Sequence, residues 1–134
     1  MGNVKTIIQN YYDAFNEGND DKLCSLLHKD VIHDINQGGE ERGVEKFLAF
    51  LKHMRKCYDE RVYDLVIFAN DANRRGSAEF FVKGKYIKTD GSLPEAKGQT
   101  YDLRVGAFFD LENDKIARVT TYYNLQEWLK MVHS

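Results

Sequence analysis

Two places in this chain hold side chains able to move a proton. The first is His33-Asp34 and the second is Tyr11. A carboxyl group taken out of water has a raised pKa and can serve as a base beside a carbonyl, provided a donor meets the oxyanion that forms. Asp34 is the leading candidate for that base. Its plainer alternatives are a solvated strand-end aspartate or an acceptor for the Gly38-Gly39 turn. Neighbouring residues of a strand face opposite sides, so only one of His33 and Asp34 lines a pocket, and the two do not form a dyad. Tyr11 lies at the centre of an apolar helical stripe. Its buried hydroxyl needs a partner, which is either a ligand or an internal bond.

Other polar residues interrupt apolar surfaces. Arg55 falls within the stripe of a helix, where it either snorkels from the helix end or contacts an anion or carbonyl. Glu79 interrupts Ala78-Glu79-Phe80-Phe81-Val82, a strand apolar on both faces, so its side is not set by phase. Arg118, Thr120, Tyr122 and Asn124 share one strand face, as a polar cavity wall or as part of an interface. Phe15, His33, Arg55, Tyr58, Glu79, Tyr101, Arg118 and Tyr122 make up the expected pocket lining around Asp34 and Tyr11. No phosphate cradle, nucleophile elbow or metal-ligand spacing is visible, and the four histidines are scattered. No cofactor and no metal are expected.

The elements that must position these groups are readable from periodicity. Val4, Ile7, Ile8, Tyr11 and Phe15 predict a helix over 4–17, stopped by Gly18. Leu23, Leu26 and Leu27 follow in a short helix capped by Asn19 or Asp20. A short strand is expected at 31–36, and a third helix at about 44–58. Strands follow at 62–69 and 77–89, the latter bending near Gly84. Tyr101 to Leu111 is apolar at every second position and pairs with 116–123 across an Asn113-Asp114 turn. Asn124 caps a last helix carrying Leu125, Trp128, Leu129 and Val132. Helices early and strands late argue an α+β fold with helices packed on a mostly antiparallel sheet.

Composition sets the frame. The chain has 134 residues, 43% hydrophobic and 30% charged, with a net charge of −2, as expected of one globular domain spanning 1–134. No basic block marks a nucleic-acid surface, and no apolar run is long enough for a membrane helix. Cys24 and Cys57 form neither a disulfide framework nor a zinc pattern, so reduced thiols and a cytoplasmic location are expected. The strand that is apolar on both faces needs two partners: the helices on one side and, on the other, a second copy in a sheet-to-sheet homodimer.

Tyr11-Tyr12-Asp13-Ala14-Phe15-Asn16-Glu17-Gly18-Asn19, Asp30-Val31-Ile32-His33-Asp34 and Arg118-Val119-Thr120-Thr121-Tyr122-Tyr123-Asn124 resemble the nuclear transport factor 2-like superfamily. That superfamily includes ketosteroid isomerases, SnoaL-like polyketide cyclases and limonene epoxide hydrolases. Asp34 to Gly39 and Gly98 to Tyr101 are most similar to ketosteroid isomerase-related proteins. The resemblance implies a cone-shaped fold of N-terminal helices on a curved sheet. It implies Asp34 as base, allowing one gap, and Tyr11 as oxyanion donor. The protonated aspartic acid that such isomerases place on the third long strand has no counterpart here, since Gly106 or Ala107 stands there. Thr121 and Asn124 stand where enzymatic relatives carry aspartates. The expected function is a cofactor-independent isomerase or cyclase-like enzyme enolising a small hydrophobic carbonyl compound. The alternative is a non-catalytic module for ligand binding or dimerisation.

Overall fold

The computed structural model describes residues 2–133. Three helices and a strand pair precede four long strands. These are α1 (Val4–Glu17), α2 (Asp20–Ser25), β1 (Leu27–Asp34), β2 (Glu40–Arg42), α3 (Val44–Cys57), β3 (Tyr58–Asn70), β4 (Arg75–Tyr86), β5 (Thr100–Glu112), β6 (Lys115–Tyr123) and α4 (Leu125–Val132). The strands form one curved six-stranded sheet in the order β2-β1-β6-β5-β4-β3. Every pairing is antiparallel except β1 with β6. The α+β cone is therefore the fold.

Local chemistry sets the helix ends. Asn3 accepts from the Thr6 amide, and Gly18 adopts a left-handed φ of 70° to close α1. Asn19 and Asn124 do the same N-terminal work for α2 and α4. Asn113 takes the positive φ that the β5–β6 turn requires.

Differences from the periodicity reading have physical causes. Strand β1 starts four residues before the expected 31, because Leu27 already pairs with Ile116 of β6. The short β2 has no counterpart in the periodicity reading, since its three charged residues carry no apolar alternation. Strand β3 begins at Tyr58 and not at Val62, directly where α3 ends.

Register sorts the side chains to two faces. Val62, Val82 and Leu103 align across β3, β4 and β5, and all are buried beneath the helices. Helix α1 crosses β4 closely: a Cβ on Gly76 would meet Ile8 at 2.4 Å. On the opposite face Phe68, Ser77, Phe108 and Thr120 align, and Phe108 is 53% exposed. That outer face is the one expected to meet a second copy. Among the described residues no helix is long and apolar enough to cross a membrane.

Candidate functional site

A cavity of about 280 Å³ lies between the inner sheet face and helices α1, α3 and α4. Its walls are mostly apolar, from Phe15, Phe47, Phe50, Leu51, Phe80 and Trp128 among others. The polar groups set into those walls are few, as in most small-molecule sites.

The central one is Glu60. Tyr58, Glu60 and Val62 share one face of β3, and Tyr58 and Val62 are buried. Glu60 pairs across the sheet with Gly84, and Gly84 pairs with Tyr101. Gly84 is what makes the pair possible, because a Cβ there would lie 2.3 Å from the Tyr101 ring. The ring crosses β4 over that gap, and its hydroxyl donates to Glu60 Oε2 at 2.6 Å. Asn16 of α1 anchors the next step of β3, donating to the Val62 carbonyl and accepting from its amide, each at 2.9 Å. Burial raises the Glu60 carboxyl above its ordinary value, against the opposing pull of the Tyr101 hydroxyl and the Arg55 charge. Burial, with Glu60 next to it, also pushes the Tyr101 phenol far up, so Tyr101 stays a neutral donor.

His33 is the partner of β1 that faces inward. It is 5% exposed and packs against Phe47 and Phe50, with ring centroids 4.7 and 4.6 Å away. Burial lowers its pKa and outweighs the nearby Glu41 and Asp34, so the imidazole is neutral at neutral pH. Its Nδ1 and the Asn36 Nδ2 are buried without a hydrogen-bond partner, and both residues line the cavity. Tyr11 also lines it, edge-on to Tyr12 and Phe109, with its phenol pushed up by burial.

The expected placement of Asp34 is corrected. Asp34 touches the cavity wall, but its carboxylate is held by residues of the outer face. Arg118 donates to it through Nε at 2.8 Å and Nη2 at 3.1 Å, and Thr120 Oγ1 donates at 2.6 Å. These bonds hold its pKa below the usual carboxylate value. The cause is strand phase: His33 pairs with inward Val119, Asp34 with outward Thr120. The same alternation moves Arg118 and Tyr122 out of the expected lining, with Tyr122 58% exposed, while Thr121 and Tyr123 take the inner wall.

Glu79 is outside as well, receiving a 2.9 Å bond from Arg104 on the solvent face. Arg55 lies behind the wall, bonding Asp20 at 2.8 Å and the Phe15 carbonyl at 3.2 Å, with its guanidinium 5.2 Å from the Phe15 ring centroid. Tyr101 stands behind Glu60 rather than in the lining itself. Phe15, His33 and Tyr58 line the cavity.

Glu60 was not among the expected residues. Its signal was the alternation Tyr58-Glu60-Val62, hidden once the strand was started at Val62. Asp90 was missed too. It reaches the cavity from the connection after β4 and accepts from the Tyr58 hydroxyl at 2.7 Å.

The SnoaL-like domain family matches residues 8–119. The chain belongs to that family. A candidate polyketide cyclase of known structure, from Xanthomonas campestris pv. campestris, is 48% identical, with 96% of each chain covered and a TM-score of 0.93. Another candidate polyketide cyclase, from Pseudomonas putida, is 46% identical over 98% of this chain and 99% of its own, with a TM-score of 0.96. A nuclear transport factor 2-like protein of unknown function from Burkholderia pseudomallei shares the fold at 15% identity and a TM-score of 0.81, with all of both chains covered. No curated protein matches the chain.

Proposed function

We propose that this SnoaL-like protein is an acid–base enzyme of the isomerase or cyclase kind, acting on a small hydrophobic carbonyl compound in the cone cavity. The single observation that carries the reading is Glu60: a carboxyl group with raised proton affinity, in an apolar cavity, held by a neutral tyrosine. In its ionised form it takes a proton from the carbon beside a carbonyl. In its protonated form it returns that proton to another carbon, or to the oxygen of an aldol-type product. Tyr101 keeps the carboxyl in one orientation through both steps, acting as a positioning residue. Tyr11, a neutral phenol of α1 in the cavity lining, supplies the hydrogen bond to the developing oxyanion. The unpaired polar atoms of His33 and Asn36 mark the wall where a polar substituent would find partners.

Relatives at 46–48% identity described as candidate polyketide cyclases support the substrate class, since such compounds carry acidic carbons between carbonyls. The chemistry expected of Asp34 passes in this reading to Glu60, because an arginine-paired carboxylate is the weaker base.

The test does not need the natural substrate. The protein is incubated in deuterium oxide with a panel of apolar ketones and 1,3-dicarbonyl compounds, and loss of the α-proton signal is followed by nuclear magnetic resonance. Catalysed exchange that disappears in Glu60→Gln supports the reading. Binding of the same compounds without exchange contradicts it and favours the non-catalytic binding module.

A further inference from the structure

The described residues contain one mixed cluster of donor atoms apart from the Glu60 pair: His53, Cys57 and Asp90. His53 and Cys57 stand one turn apart on α3, so their side chains meet on one face. The connection between β4 and β5 lays Asp90 against that face, 37 residues from His53 in the chain. His53 Nε2 lies 2.7 Å from Asp90 Oδ1 and 3.9 Å from Cys57 Sγ, and the three donor atoms all lie within 4.8 Å of one another.

The carboxylate is held from behind. Its Oδ2 accepts from the Tyr58 hydroxyl at 2.7 Å, and the Asp90 amide donates to the Tyr86 hydroxyl at 3.0 Å. Tyr86 is wholly buried, donates in turn to the Pro94 carbonyl at 2.7 Å, and stacks on Tyr58 with ring centroids 5.4 Å apart. Outer hydrogen bonds of this kind orient a carboxylate that ligates a metal. One thiol, one imidazole and one carboxylate suit zinc or cobalt(II), and not magnesium or calcium, which prefer all-oxygen sites. Metal–ligand bonds of about 2.0–2.3 Å in a tetrahedron put donor atoms roughly 3.3–3.8 Å apart. The cluster needs to open the His53–Asp90 contact and to close the other separations, the widest by up to about 1 Å.

We propose that His53, Cys57 and Asp90 form a seat for a zinc-class divalent cation, with a fourth position left for water. The cation would replace the His53–Asp90 hydrogen bond and tie α3 to the β4–β5 connection, which forms part of the cavity wall. This site does not depend on the role given to Glu60.

The test is a titration of chelator-treated, reduced full-length protein with cobalt(II). The expected result is saturation at one equivalent with a near-ultraviolet thiolate-to-cobalt charge-transfer band, displaced by zinc(II). Cys57→Ser should lose the band. His53→Ala, a change at a half-exposed position, should retain the circular dichroism of the parent and weaken cobalt binding by at least tenfold, so the test stands even if the buried Cys57 variant fails to fold. Absence of a stoichiometric cobalt spectrum in the parent protein would overturn the proposal. So would a band that survives in folded Cys57→Ser, which would place the thiolate at Cys24, or cobalt affinity unchanged in His53→Ala.

Discussion

Two carboxyl groups of this protein stand on opposite faces of one sheet, and their surroundings drive them in opposite directions. Glu60 faces inward among apolar residues and meets a neutral phenol. Asp34 faces outward and meets a guanidinium and a hydroxyl. Desolvation dominates at the first and raises its proton affinity. Hydrogen bonds from Arg118 dominate at the second and lower it. The residue type is not what makes a base here. Strand phase decides which carboxyl sits among apolar side chains, and the partner decides whether it will take a proton.

The largest effect that separates the two sides is on turnover. Glu60→Gln should reduce catalysed α-proton exchange by about 10²–10⁴-fold, the usual weight of a general acid–base group, while Asp34→Asn should retain it within a few-fold. Exchange rates of the two variants, measured on the same ketone, check this. Equal losses would erase the distinction between the faces.

The next effect is on packing. Gly84→Ala puts a methyl group where the Tyr101 ring lies, 2.3 Å from its nearest atom. The ring must move, so the variant should lose roughly 1–3 kcal/mol in urea unfolding. Displacing the hydroxyl also removes a bond that lowers the Glu60 pKa, so the carboxyl should titrate higher still.

Stability against pH sharpens the comparison further. The native protein holds the Glu60 proton more tightly than the unfolded chain does. Its contribution is therefore full below 4.5, the ordinary glutamate value, and is lost as pH rises through the raised native value. Glu60→Gln should remove that loss and be at least as stable as the parent at neutral pH. For Asp34 the sign reverses: its contribution is present above 3.8 and is lost as pH falls through the lowered native value. Urea titrations of both variants across pH 3–8 check the two slopes.

The smallest effect is the ion pair itself. The Arg118 side chain is 42% exposed and that of Asp34 24%, so solvent screens the attraction. Asp34→Asn should cost only about 0.5–1 kcal/mol at neutral pH, and less in high salt, as read from unfolding midpoints.

Much of the fold was legible because its signals are local. The Asn caps, Gly18, the Asn113-Asp114 turn and the alternation through Tyr101 to Leu111 all depend on a few neighbouring residues. The candidate site was less legible because it depends on register. Asp34 and His33 face opposite sides, as neighbours on a strand do, but one strand carries no mark of which side is inner. Pairing of His33 with Val119 supplies that, and it is a long-range fact. Glu60, Gly84 and Tyr101 form one row only when three strands are aligned. Asp90 sits in a connection with no periodicity, so nothing near it in the chain pointed to Tyr58 or His53.

The most direct test of the central claim is a carboxyl-carbon titration of the labelled protein by nuclear magnetic resonance, with Glu60 and Asp34 followed in the same spectra. The account predicts a midpoint above 4.5 for Glu60 and below 3.8 for Asp34. A Glu60 midpoint at or below 4.5, the ordinary value, would show that its carboxyl is solvated or fully compensated, and would contradict the assignment of the cavity base.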